Sequence, residues 1–174
     1  KGAQTAAQHL LEMGHTDIAI MVGQREHDYN FDVTAQRRAG FLSVLEEQKI
    51  AFNPANELVA NFDSHTAELA MDEFLTRKKL PTAVFCLSDE MAFGVLKSIR
   101  KKGLRVPEDI SVVGFDDHEY SEIFGLTTIA QPVQFLGQLA ATQIVAKIDN
   151  ADAKSAQMSV PTSLIVRETV KKLF

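Results

Sequence analysis

Apolar and polar positions along the chain switch repeatedly between a helical and a strand-like pattern. Residues 2–13 set Ala3, Ala7, Leu10 and Leu11 at one-face helical spacing, with Gly14 as the stop. DIAIMV, at 17–22, is a short apolar run suited to a buried strand. A polar stretch at 23–32, long for a strand-to-helix connection, precedes a helix predicted over 33–48 that buries Phe41, Leu42 and Leu45. Asn53-Pro54 breaks the chain, and a weak strand reads at 57–60. The next helix places Ala67, Ala70, Met71 and Phe74 on one face. TAVFCL (82–87) and ISVVG (110–114) are strongly apolar strands. Between them Ser88 or Asp89 caps a helix that buries Ala92, Val95, Leu96 and Ile99 and stops at Gly103. A short strand follows at 127–130. Gln131-Pro132 then opens a last helix, expected to bury Leu136, Ala140 and Ile144. A turn at 149–154 and a strand candidate at 163–167 complete the chain. Strands separated by helices of this length predict βαβ units, hence an α/β fold on a parallel sheet.

Composition narrows the class. With 174 residues, 45% hydrophobic and 24% charged, the chain is an ordinary globular sequence of one large domain or two small lobes. No apolar run approaches the roughly 20 residues of a membrane span, and residues 1–8 lack the apolar core of a signal peptide. The single cysteine, Cys86, rules out an internal disulfide or a multi-cysteine zinc site, and a reducing cytoplasm is compatible with it. Its place in an apolar strand makes it an inert core thiol. The net charge of -5 argues against autonomous nucleic-acid binding, which needs a basic patch. Arg77-Lys78-Lys79 and Arg100-Lys101-Lys102 fall where helices end, and the helix dipole accounts for cations there.

In an open parallel sheet, ligands sit outside the carboxyl ends of the strands. That rule selects the 23–32 loop with the following helix's first turns, residues 61–64, Ser88-Asp89, and 115–121. These places combine a cation (Arg37), an aromatic (Phe62), small polar groups (Ser88, Asp89) and carboxylates (Asp116, Asp117). An aromatic face with arginine and aspartate partners suits a sugar or another small polar ring. The bland alternatives are a surface helix charge for Arg37, a satellite core residue for Phe62, and loop capping by one of Asp116 and Asp117.

Enzyme signatures are weak: no GxGxxG, Walker A or GxSxG motif occurs. Asp116-Asp117-His118-Glu119 cannot converge on one metal ion from four adjacent positions, and His27-Asp28 reads as a solvated loop pair. Neither a metal nor a cofactor is expected. Met91 and Phe93 are expected to leave the core face of their helix. With Ile123, Phe124 and Leu126 in the next loop they suggest a partner surface, the alternative being that they fold under the loop.

The stretch PTAVFCLSDEMAFGVLKSIRKKGLRVPEDISVVGFDD (81–117) resembles the lactose-repressor (LacI/GalR) family of bacterial transcription regulators. AAQHLLEMGHTDIAIMVG (6–23), RRAGF (37–41), LTTIAQP (126–132) and LIVRET (164–169) keep that family's order, so the likeness spans essentially the whole chain. The resemblance implies a periplasmic-binding-protein-like fold of two lobes, with an effector in the cleft between them. Residues 1–130 would form the carboxy-terminal lobe, 131–161 a crossover segment belonging to the amino-terminal lobe, and 162–174 a return strand and tail. Most of the second lobe and the helix-turn-helix headpiece would lie outside this chain.

The resemblance also implies residue roles. Arg37 corresponds to the arginine that binds effector hydroxyls or a carboxylate, Phe62 to the aromatic that stacks on the effector ring, and Asp116 to the carboxylate that hydrogen-bonds the ligand. Ser88 replaces the usual asparagine, which puts a direct contact there in doubt, and Gln131 corresponds to a hinge residue facing the cleft. Met91, Phe93, Ile123 and Phe124 would belong to the dimer surface. The implied function is effector binding and homodimerisation in a cytoplasmic repressor that reaches operator DNA through its headpiece, with sugar as the first effector class and purine the next. The rivals are a solute-binding protein of the same fold serving transport, and an enzyme on a flavodoxin-like sheet.

Overall fold

The computed structural model describes residues 1–24, 33–150 and 158–174. His27 and Asp28, most of the 23–32 loop and most of the 149–154 turn lie outside the described residues. The elements in chain order are α1 (Gly2–Glu12), β1 (Ile18–Gly23), α2 (Val33–Glu47), β2 (Glu57–Ala60), α3 (Ser64–Phe74), β3 (Ala83–Cys86), α4 (Asp89–Lys101), β4 (Ser111–Asp116), β5 (Thr127–Ala130), α5 (Val133–Asp149) and β6 (Ser163–Ile165). One sheet orders the strands β2-β1-β3-β4-β5-β6. Pairing is parallel from β2 through β5, and β6 lies antiparallel beside β5, the one departure from an all-parallel sheet.

The apolar runs explain the centre of this sheet. Every residue of β1 and of β3 is buried, as is β4 up to Phe115, because helices cover both faces. Helices α1 and α2 pack together, and α3 packs against α4 and β2. Phe41 of α2 stacks on Phe85 of β3 with ring centroids 4.8 Å apart. Cys86 is fully buried, and burial pushes its thiol far above the ordinary range, so it stays protonated and inert.

Asp63 caps α3 by accepting the Thr66 N–H at 2.8 Å. Between α3 and α4, Lys97 meets Glu68 at 2.7 Å and Lys101 meets Asp72 at 2.6 Å. The hydrogen bond from Lys97 holds the Glu68 carboxyl below its usual range, and that from Lys101 does the same for Asp72. The two helices cross closely. A Cβ on Gly94 would lie 2.1 Å from the Ser64 carbonyl oxygen and 2.9 Å from the Glu68 amide nitrogen.

Several burial expectations need correction. Helix α4 is not buried on one face alone. Asp89, Met91, Ala92, Gly94, Val95, Leu96, Ser98 and Ile99 are all buried, since α4 is pressed between the sheet and α3. Met91 is wholly inaccessible, so it does not leave the core face and contributes nothing to a surface patch. Ala70 and Leu42 are only half-buried. Helix α5 forms where expected, but Leu136, Ala140 and Ile144 are exposed, and no residue of α5 is buried. Among the described residues Met158 and Val160 lie against its apolar side without burying it.

Candidate functional site

The chain passes from β1 outward to β2 and then back across β1 to β3, so the strand order reverses between β1 and β3. Such a reversal opens a crevice beyond the carboxyl ends of the two strands. Arg37 enters it from α2. Its Nη1 donates to the Leu87 carbonyl at 2.5 Å, just beyond β3, and its Nη2 to Asp116 Oδ1 at 3.1 Å. The guanidinium carbon sits 3.8 Å from the centre of the Phe115 ring, a cation–π contact that fixes its plane.

Asp116 ends β4. Its Oδ1 also accepts the Gln131 Nε2 at 2.5 Å. Arg37, Asp116 and Gln131, chosen from the sequence separately, are therefore one hydrogen-bonded array. Burial raises the Asp116 carboxyl above its ordinary value against the opposing pull of Arg37, and burial likewise lowers Arg37. Because both donors converge on Oδ1, Oδ2 has no protein donor among the described residues. It remains an acceptor beside the unused N–H groups of the guanidinium.

Phe62 stands apart from the array, after β2. Its backbone is left-handed (φ 59°), and its ring lies close against Gly23 at the end of β1. A Cβ on Gly23 would come within 1.9 Å of the Phe62 ring, so the glycine makes room for the aromatic. Asp116 (φ 122°) and Asp117 (φ 56°) share the unusual backbone sign, so strain concentrates at the strand ends around the crevice. Ser88 also stays out of the array. It is buried, and its Oγ accepts the Met91 N–H at 3.3 Å as the cap of α4. Ser88→Ala is expected to cost about 1 kcal/mol by losing that cap. An unmoved urea midpoint would show that the capping bond contributes nothing.

The neighbours of Asp116 diverge. Asp117 pairs with Arg167 at 2.8 Å, whose Nη1 also donates to the Leu126 carbonyl, so Asp117 is the member of the pair that holds the loop. His118 turns to an aromatic cluster, edge-on to Phe93 at 5.8 Å and 5.1 Å from Tyr120. Phe93 meets Phe124 at 5.0 Å. Ile123 is 76% exposed beside them, whereas Leu126 is fully buried. The surface patch thus consists of Phe93, Tyr120, Ile123 and Phe124, without Met91 and Leu126.

One residue of consequence was read in the sequence as a possible cap and as a small polar group at a strand end, not as a buried acceptor. Asp89, almost wholly buried, accepts the Thr128 hydroxyl on Oδ1 at 2.6 Å. Its Oδ2 accepts the Ser121 hydroxyl at 2.6 Å and the His118 backbone N–H at 2.8 Å. Gly114 makes this reach possible, since a Cβ there would lie 2.0 Å from Asp89 Oδ1.

Taken together, the crevice offers a planar cation, a free carboxylate oxygen and an aromatic face. This equipment orients a small polar ring and its hydroxyls or amides. Among the described residues no group of three or more histidine, cysteine or acidic side chains is placed to hold a metal ion, and no helix is long and apolar enough to cross a membrane.

The model of the periplasmic binding protein-like domain family matches residues 7–170. The HTH-type transcriptional repressor PurR of Vibrio campbellii is 37% identical over 175 residues, covering 99% of this chain and 51% of the repressor. The chain thus spans about half the length of the curated relatives it matches. A LacI family transcriptional regulator from Enterococcus faecium, solved with bound ribose, superposes with a TM-score of 0.87 at 29% identity, covering 99% of this chain and 63% of that one. A dimeric Lac repressor with an 11-residue carboxy-terminal deletion gives a TM-score of 0.87 at 30% identity, covering 98% of this chain and 61% of that one.

Proposed function

The chain belongs to the periplasmic binding protein-like domain family, in its lactose-repressor (LacI/GalR) branch, and on that premise we propose that it is the effector-binding and dimerising part of a transcriptional repressor. The observation that carries the reading is the array of Arg37, Asp116 and Gln131 at the strand-order reversal, with Asp116 Oδ2 left open. Two neighbouring ligand hydroxyls fit it. One donates to Asp116 Oδ2, the other accepts from Arg37, and the ring face lies on Phe62. A sugar meets these demands, and the regulator from Enterococcus faecium was solved with ribose. A purine is the second reading, favoured by the resemblance to PurR repressors and compatible with stacking on Phe62.

The remaining parts follow the same reading. Residues 1–130 and the return segment 162–174 form one lobe, and the crossover, 131–161, belongs to the other. The exposed apolar side of α5, without a buried residue, supports that division. Effector bridging both lobes favours a closed arrangement, and differential affinity for the two arrangements is what alters DNA affinity. Operator contact is made by a headpiece outside this chain, in the cytoplasm. A transport role is disfavoured because the relatives are named as repressors.

A thermal-shift panel of pentoses, hexoses, sugar phosphates and purine bases on the full-length protein tests the effector. Stabilisation by one class identifies it, through the linkage of binding to folding. No response at millimolar concentration of any of them overturns the small-effector reading. The dimer is tested at Ile123, which is exposed and structurally idle in the monomer. Ile123→Asp is expected to give a folded monomer in sedimentation, because it sets a charge in an apolar contact. An unchanged sedimentation coefficient would move the interface elsewhere.

A further inference from the structure

We infer that Asp89 is a positioning residue that holds the crevice and the aromatic patch in fixed register. The inference rests on the reading of those two places as effector site and dimer surface. Asp89 is the first helical residue of α4, directly after the Ser88 cap. Its carboxylate lies over β4, in the space that Gly114 leaves, and ends at Thr128 on β5. Its other oxygen holds the first half of the 117–126 loop through His118 and Ser121. Asp116 stands at the near end of this loop, inside the crevice, and Tyr120, Ile123 and Phe124 stand on its outer surface. One side chain therefore ties the β3-α4 turn, β5 and the loop together. A shift of α4 at the crevice must move the patch, or break these bonds.

The chemistry requires a carboxylate. All three partners are donors in this arrangement, and the backbone N–H of His118 cannot turn into an acceptor. An asparagine has one oxygen for three donors, and its amide N–H groups face either His118 and Ser121 or Thr128. A hydroxyl can rotate to accommodate it, whereas the amide at His118 loses its partner or meets another donor.

Amide hydrogen exchange on the full-length protein, without ligand, reads the loop directly. In Asp89→Asn the amides of 117–126 are expected to exchange about tenfold faster, while those of β1 and α3 keep the parent rate. Two further variants guard against general unfolding. Ser121→Ala removes a donor from the loop and is expected to speed loop exchange. Thr128→Val removes the donor on β5 and is expected to leave the loop at the parent rate. Unchanged loop exchange in Asp89→Asn, or equal effects of Ser121→Ala and Thr128→Val, would overturn the inference. In sedimentation, Asp89→Asn is expected to weaken the dimer about tenfold. A parent protein that is monomeric at all concentrations would instead refute the dimer reading, and loop exchange would still decide the role of Asp89.

Discussion

Gly94→Ala is expected to lower stability by about 3 kcal/mol, the upper part of the range for overpacked sites. The reason lies in what the new methyl would meet. At 2.1 Å from the Ser64 carbonyl and 2.9 Å from the Glu68 amide, it collides with the backbone of α3, and backbone inside a helix cannot rotate away. The helices must separate, which uncovers Leu96 and Met71 and stretches the Lys97–Glu68 and Lys101–Asp72 pairs. Alanine is the better helix former by nearly 1 kcal/mol, so intrinsic propensity pulls the other way. Urea denaturation with an unchanged slope and a lower midpoint is the expected result. A midpoint equal to the parent's would mean that α3 and α4 are not in this close contact.

Arg37→Ala is expected to weaken effector binding about 100-fold, the equivalent of about 3 kcal/mol for lost charge-assisted hydrogen bonds. Titration calorimetry against whichever ligand emerges from the panel measures it, and affinity within threefold of the parent would exclude Arg37 from the site. Arg37→Lys should recover little. A lysine cannot hold the Leu87 carbonyl and Asp116 in one plane while lying over Phe115. The same variant carries a pH signature. The Asp116 carboxyl already sits above its ordinary 3.8 through burial, with Arg37 as the main opposing influence. Removing Arg37 raises it further. A group raised on folding contributes stability below its unfolded value and loses that contribution as pH climbs through its folded value. The stability cost of Arg37→Ala should therefore be larger at about pH 7 than at about pH 4, where the carboxyl takes up a proton. An equal cost at both would mean that the Asp116 charge is not what Arg37 compensates.

Much of this architecture was legible because it depends on short-range pattern. β1, β3 and β4 read as strands from unbroken apolar runs, and both their faces prove covered. The crevice residues were found by a topological rule joined to a family resemblance. What periodicity could not supply is which faces of an element find a partner. Met91 falls off the stripe of Ala92, Val95, Leu96 and Ile99, yet α3 and the sheet enclose α4 on more than one side. Leu136, Ala140 and Ile144 show an ordinary core spacing on a helix with no buried residue. Asp89 was illegible for another reason. Its donors lie 29, 32 and 39 positions away, and nothing local distinguishes a buried acceptor of three bonds from a helix-start carboxylate. Gly23, which the sequence marked only as the start of a loop, makes its contribution by lacking a side chain under Phe62.

The left-handed backbone at Phe62, Asp116 and Asp117 limits how the protein can be improved. Glycine would relax any of these positions, where the strain is of the order of 1–3 kcal/mol each. A selection for heat resistance alone would therefore find its gain at Phe62, whose side chain holds no ion pair. That gain would delete the ring beside Gly23, whereas glycine at Asp116 or Asp117 would leave Arg37 or Arg167 without its carboxylate. On the proposed reading, a variant hardened at Phe62 should remain well folded and bind ligand poorly, which makes thermostability screens without a ligand arm a poor way to improve this protein.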